Sequence, residues 1–250
     1  LKSAITRLVA LAALLGIAAL ALGCSASRPA APGPAPAQAP TSQPATAPPP
    51  AALPATAPPP ATSLGTVEVR RYKGKRLDAV KTEPETSIAG PQHVDIKRYR
   101  LAVGGLVKSP LSLTYAQVLA LPAYRKATTL HCIDGWSRTY LWQGVLLKDL
   151  LGKAGFDAGA RTVIFRCYDG YSTSLPLSEV VSKNMLLAYG MNGRVMAPAR
   201  GYPFQVVAED HYGYKWAKWV TSIEVSNDIR FRGHFEKMGA DNTGTITPSK

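Results

Sequence analysis

The stretch Thr129-Leu130-His131-Cys132-Ile133-Asp134-Gly135-Trp136-Ser137 reads TLHCIDGWS: an apolar, β-branched run, a cysteine, then a loop containing Gly and Trp. Residues 127–133, ATTLHCI, have the composition of a buried strand, which delivers Cys132 at its end. A thiol there can pack, pair, attack or bind metal. Outside the N-terminal segment the only other cysteine is Cys167, and an exported domain with two cysteines invites a disulfide. A domain this large needs no such staple. A thiol hydrolase would need a histidine to activate Cys132. His131 is its sequence neighbour, and neighbours on a strand point to opposite faces. The four histidines, His93, His131, His211 and His234, lack the paired spacing of a zinc site.

Working outward, "YRLAVGGLV" (residues 99–107) alternates and breaks at Gly104-Gly105, a strand and turn. Thr114, with Gln117 three residues on, forms a capping box that opens a short helix before Pro122. "LLKDLLGKAG" (146–155) has helical spacing and a Gly stop. "RTVIFRCYDGYSTSLPL" is a strand ending near Cys167, an Asp169-Gly170 turn and a second strand. "LSEVVSK" is a short helix, and Asn192-Gly193 between apolar flanks is a hairpin signal. "PFQVVAE" and "KWVTSIEVS" read as further strands. Short helices among many strands predict an α+β fold with mixed sheets. Four stretches, "DGWSRTYLW", "YDGYSTS", "ARGYPFQ" and "EDHYGYKWAKW", combine Gly, aromatic and polar groups and read as loops that build a site.

The ends bound the rest. Lys2 and Arg7 precede an apolar run from Leu8 to Leu22, closed by Gly23-Cys24: a signal peptide over residues 1–24. The Cys at the cut site resembles a lipoprotein signal, with Cys24 lipidated. Residues 25–64 form a Pro/Ala-rich linker in which PATAPPP occurs twice, too polar and too simple to build a core. Extended at about 3.1 Å per residue, it reaches on the order of 100 Å. Residues 65–250 are then one folded domain carrying about ten of the chain's +13 charges. That balance favours anionic partners: a phosphate-bearing cofactor, an anionic substrate or lipid headgroups. No basic stripe interleaved with aromatics points to nucleic acid.

Residues from about Ser87 to His234 resemble the molybdopterin-binding catalytic domain of the sulfite oxidase family. The likeness is nearest to the haem-free bacterial branch that includes the catalytic subunit of periplasmic methionine sulfoxide reductase. The pieces that carry it are "TLHCIDGWS", "LWQGVLLKDLL", "DGYSTSLPL", "LLAYGMNG", "RGYPFQVVAE" and "YGYKWAKWV", in the family's order. The resemblance implies that Cys132 supplies the one protein thiolate to a mononuclear molybdenum, beside two sulfurs of the pterin dithiolene. A soft thiolate suits a metal already bound by sulfur. It implies two-electron oxygen-atom transfer with a small oxo donor or acceptor. Lys215 and Lys218 are the implied phosphate contacts, with backbone donors near Trp216 and Ala217. Arg200 and Gln205 fall where relatives present polar or basic cofactor contacts. Cys167 falls near the pterin or packs in the core. His131, beside the ligand, is a further implied cofactor contact, and Arg138, Tyr140, Tyr171 and His211 are substrate-pocket candidates, Arg138 and Tyr171 foremost. No haem signature is present, so electrons are expected to pass to a separate redox protein. "LKSAITR" lacks a twin-arginine pair, which keeps open a metal-free extracytoplasmic binding lipoprotein on the same fold.

Overall fold

The computed structural model describes Leu64–Ile246. The signal peptide, Cys24 and all of the linker before Leu64 lie outside the described residues. The strands are β1 (Arg71–Tyr72), β2 (Lys75–Arg76), β3 (Leu101–Gly105), β4 (Leu111–Leu113), β5 (Tyr124–His131), β6 (Ser137–Leu146), β7 (Thr162–Cys167), β8 (Ser172–Pro176), β9 (Leu186–Met191), β10 (Arg194–Val195), β11 (Gln205–Val207) and β12 (Val220–Ser226). The helices are short: α1 (Tyr115–Leu119), α2 (Leu147–Ala154), α3 (Leu177–Ser182) and α4 (His234–Lys237). The fold is α+β, as expected.

Two five-stranded sheets organise the domain. One runs β10-β9-β6-β5 with β11 also on β9; the other runs β4-β3-β12-β7-β8. Every pairing is antiparallel except β3 with β12, so the second sheet is mixed. All of β9 is buried, and Val163–Phe165 of β7 are buried too. The helix α2 lays Leu147, Leu150, Leu151 and Ala154, an i, i+3, i+4, i+7 stripe, into this core. Thr114 caps α1 reciprocally with Gln117. Asn192 and Gly193 have φ of 49° and 77°, the two positive values that a tight two-residue hairpin requires.

Two elements differ from the sequence reading. "DGWSRTYLW" is not all loop: from Ser137 it is β6, the longest strand, paired with β5 from His131↔Ser137 to Tyr124↔Gly144. The Asp-Gly-Trp start masked a strand whose Thr, Tyr, Trp and Val content is otherwise plain. At Gly144 the strand bulges against β9, and a Cβ there would lie 2.1 Å from the Leu187 carbonyl oxygen. Upstream, "RYKGKR" folds as the β1–β2 hairpin, its turn made by Lys73 (φ 45°) and Gly74 (φ 80°). A positive φ at a lysine hid that turn.

Candidate active site

Strand β5 ends where the chain must reverse. Cys132 N–H donates to the Trp136 carbonyl at 2.9 Å and Gly135 N–H donates to the Cys132 carbonyl at 3.1 Å. Gly135 sits at φ 89°, where a side chain is strained. The turn leaves Cys132 half-buried in the wall of a cavity of about 400 Å³. That is a size suited to a small ligand. The thiol donates to Asp134 Oδ2 at 3.5 Å. Burial pushes its pKa up; the Asp134 backbone N–H pulls against that, while the Asp134 carboxylate adds to it.

The segment 211–219 crosses the end of β5. His131 bridges Tyr212, and Gly213 comes so close that a Cβ would meet the His131 carbonyl oxygen at 3.4 Å. Val206 N–H donates to the Ala217 carbonyl at 2.9 Å, and Gln205 bridges Lys218, so these two side chains stand side by side in the wall. Gln205 is 2% exposed and its Oε1 has no hydrogen-bond partner among the described residues. Trp216 also lines the cavity, held by its Nε1–H donating to the His211 carbonyl at 3.0 Å.

A further wall is the strap Glu83–Ile88. Glu85 pairs with Lys218 at 3.2 Å, and Glu83 pairs with Arg200 at 3.3 Å. Burial raises the Glu83 pKa against the pull of Arg200. Desolvation also acts on Glu85, but Ser87 and Lys218 outweigh it and hold its pKa low. The cavity wall therefore carries Glu83, Glu85, Asp134 and Asp169 against Lys218. The domain's positive charge is not gathered there, contrary to the simplest reading of its composition.

Of the expected site residues, Cys132, Tyr171, Gln205, Trp216 and Lys218 come together in the wall. The others do not face it. His131 shares a 2.8 Å hydrogen bond between its Nδ1 and Ser137 Oγ. Arg138 holds its guanidinium 5.9 Å over the Trp136 ring and does not line the cavity. Arg200 is tied to the strap through Glu83 and the Glu83 and Pro84 carbonyls. Ala217 is buried, and Tyr140 and His211 are fully buried.

Lys215 differs most from expectation. It is completely buried, and its Nζ donates to Glu236 Oε1 at 2.6 Å, the Asn242 carbonyl at 2.7 Å and the Ser174 carbonyl at 3.1 Å. All three ammonium protons have acceptors, so none is left for a phosphate. Burial lowers its pKa although Glu236 opposes the shift. Cys167 is a free thiol, 8% exposed, and burial raises its pKa strongly. Cys132 is free as well, so no disulfide joins the two. Tyr171 donates its hydroxyl to the Tyr214 carbonyl, and burial lifts its pKa far above neutrality, so it presents a ring rather than an acid to the cavity.

Sequence reasoning missed the strap, Asp134, Trp136 and Trp219. Asp134 and Trp136 carried a local signal as part of the motif around Cys132, and Trp219 as part of "YGYKWAKWV"; the strap carried none. The acids of "KTEPETS" meet their cations 117 and 133 residues away, a pairing no spacing rule reveals.

This fold places a cysteine just past the end of the edge strand β5, at a cavity, and that defines a class. Residues 88–234 match the family profile described as "Oxidoreductase molybdopterin binding domain". The chain belongs to that family. It is 36% identical over 150 residues to "Uncharacterized oxidoreductase YuiH" of Bacillus subtilis, covering 60% of this chain and 75% of that protein. It is 30% identical over 148 residues to "Putative protein-methionine-sulfoxide reductase subunit YedZ1" of Azospira oryzae, covering 59% of this chain and 56% of that one. Relatives named nitrate reductase, sulfite oxidase and MsrP also match, so the branch within the family is not distinguished. Among solved structures, the sulfane dehydrogenase SoxCD of Paracoccus pantotrophus superposes with a TM-score of 0.53 at 23% identity, over 56% of this chain and 41% of that one, a likeness of fold.

The residues present fit the family's cofactor. A half-buried thiol, a buried orphan amide oxygen on Gln205 and a lysine share one cavity of suitable size.

Proposed function

We propose that this chain is a molybdenum-cofactor-dependent oxidoreductase that carries out two-electron oxygen-atom transfer on a sulfite- or sulfoxide-type substrate. The observation that carries the reading is Cys132, a half-buried thiol at the end of β5 in the cavity wall. When bound, the cofactor supplies a two-electron redox centre that exchanges an oxygen atom with a small molecule. Cys132 would be its protein ligand, and the thiol must lose its proton to serve. The Asp134 carboxylate, 3.5 Å away, is the acceptor on hand.

Lys218 would meet the cofactor's phosphate as a point charge, exchanging its present Glu85 partner for it. Gln205 would bond the pterin through its unpartnered Oε1. Lys215 would act at one remove, holding the 213–218 loop against the C-terminal segment through Glu236 and Asn242. Trp136, Trp216 and Trp219 line the cavity and would help keep water from the bound cofactor. The name of the YedZ1 relative makes a methionine sulfoxide the first substrate to assay. Electrons would pass to or from a separate redox protein. The chain itself would be an exported lipoprotein, anchored through Cys24 on the outer face of a membrane.

The test is metal and pterin analysis of folded protein purified from its native host. The reading predicts about one molybdenum and one pterin per chain. Folded protein free of both, from a host that loads other molybdoenzymes, contradicts it.

A further inference from the structure

The positive charge that the cavity lacks is concentrated on the β1–β2 hairpin. Within Arg70–Arg76 stand five exposed cations, Arg70, Arg71, Lys73, Lys75 and Arg76, and no acid. The register sets Arg71 directly opposite Arg76. Like charges facing across a strand pair are destabilising. Among the described residues, none of Arg71, Lys73, Lys75 or Arg76 has a carboxylate partner; Lys73 lies 5.6 Å over the Tyr72 ring. The flanking acids are committed: Glu68 pairs with Arg70 at 3.6 Å and accepts from Val80 N–H at 2.9 Å and Asn192 Nδ2 at 3.0 Å, and the Asp78 carboxylate accepts from Thr139 N–H.

The hairpin is also held rigidly. Leu77, at its base, is fully buried. Asp78 N–H donates to the Thr139 carbonyl at 2.9 Å, and Thr139 N–H returns to Asp78 Oδ2 at 2.8 Å. The Asp78 carbonyl accepts from Asn192 Nδ2 at 2.8 Å. A fixed, unneutralised cationic edge points to an external counter-charge.

We propose that this hairpin is a docking edge for a membrane surface rich in anionic phospholipid headgroups. The inference rests on the lipoprotein reading of Cys24 and not on the redox reading. The acid-free linker meets the described residues at Leu64, seven residues before Arg71, and among the described residues the hairpin is the first strand pair along the chain from the anchor. At the effective concentration a tether provides, a weak patch suffices to seat the domain. A lipid chain together with a basic patch is a two-signal anchor. Each cation close to an anionic surface strengthens the contact about fivefold.

The experiment uses the full processed chain on vesicles of equimolar phosphatidylglycerol and phosphatidylcholine, against vesicles of phosphatidylcholine alone. Amine acetylation is followed by mass spectrometry at Lys73 and Lys75, with exposed Lys108 and Lys153 as internal standards. The mass of the N-terminal peptide reports Cys24 acylation in the same sample, so failure of the anchor and failure of the hairpin are read separately. Without acylation, the same labelling with vesicles in excess reads the hairpin alone.

We expect Lys73 and Lys75 to be protected on the anionic vesicles only. Raising salt from about 0.1 M to about 1 M, which shortens the screening length from about 10 to about 3 Å, releases them. The double change Arg71→Gln/Arg76→Gln removes the cross-strand repulsion, so it leaves the fold intact while abolishing protection. Equal labelling on both vesicle types overturns the proposal. So does equal protection of all four lysines, which is nonspecific adsorption, or protection that appears only with an acidic soluble protein.

Discussion

Two turns in this molecule are nearly the same and end in different chemistry. After β5 the chain reads Cys132-Ile133-Asp134-Gly135-Trp136; after β7 it reads Cys167-Tyr168-Asp169-Gly170-Tyr171. In each, the cysteine N–H donates to the carbonyl of the aromatic residue at 2.9 Å, and the glycine N–H returns to the cysteine carbonyl, at 3.1 and 3.2 Å. Gly135 and Gly170 have φ of 89° and 85°. The local sequence thus sets the turn and not the use of the thiol. Cys132 opens on the cavity, with Asp134 beside its sulfur. Cys167 is closed into the core, and the Asp169 carboxylate accepts instead from Tyr171 N–H at 3.0 Å.

The widest separation between the two is expected on removing each thiol. Cys132→Ser should lower activity by more than about 100-fold, beyond what outer-shell changes around a metal cause. Cys167→Ala should leave molybdenum content intact and cost about 1 kcal/mol of stability through lost packing. Parallel metal analysis and urea melts check both, and equal metal loss in the two variants would erase the distinction.

The same contrast recurs at Lys215 and Lys218, three residues apart in one loop. Lys215→Met leaves Glu236 buried and unpaired, a change that costs about 3–5 kcal/mol. Lys218→Met removes a partly exposed pair worth at most about 1 kcal/mol. It should lower pterin content with little change in melting temperature. A melt in which Lys218→Met is the more damaging reverses the assignment.

Gly135→Ala and Gly170→Ala sharpen the comparison further. A Cβ at either glycine meets nothing within 4 Å, so each change costs only backbone strain, about 1–2 kcal/mol, and the two costs should match. Activity should fall for Gly135→Ala alone. The smallest effect is in thiol labelling of cofactor-free protein. Burial raises both thiol pKa values, Cys167 most, so both stay protonated at neutral pH. Labelling of Cys132 should rise as the pH passes above the ordinary cysteine range. Cys167 should lag by about tenfold or more until the protein unfolds. Mass spectrometry after alkylation distinguishes the two sites.

Much of this was legible in the sequence, and the boundary falls where contacts become nonlocal. The strand that delivers Cys132, the Thr114–Gln117 cap, the Asn192-Gly193 turn and the stripe of α2 are local patterns that appear in the structure, but that strand is not buried as its composition suggested: it is a sheet edge, with only Thr128 and Leu130 buried. The sequence reading took the two Cys-x-Asp-Gly-aromatic turns separately and did not match them, and their copies look alike until burial separates them. Lys215 and Lys218 look equivalent in "YGYKWAKW", and only Glu236, 21 residues away, tells them apart. The strap was invisible because its two carboxylates gain meaning only beside Arg200 and Lys218. The long strand β6 was obscured by the glycine turn that opens it.

The central claim is that Cys132, and not its twin at Cys167, is the protein ligand to molybdenum. Molybdenum K-edge X-ray absorption on wild type, Cys132→Ser and Cys167→Ala tests it directly. The account predicts that the sulfur shell loses one neighbour in Cys132→Ser and is unchanged in Cys167→Ala. An unchanged sulfur shell in metal-loaded Cys132→Ser protein would contradict it.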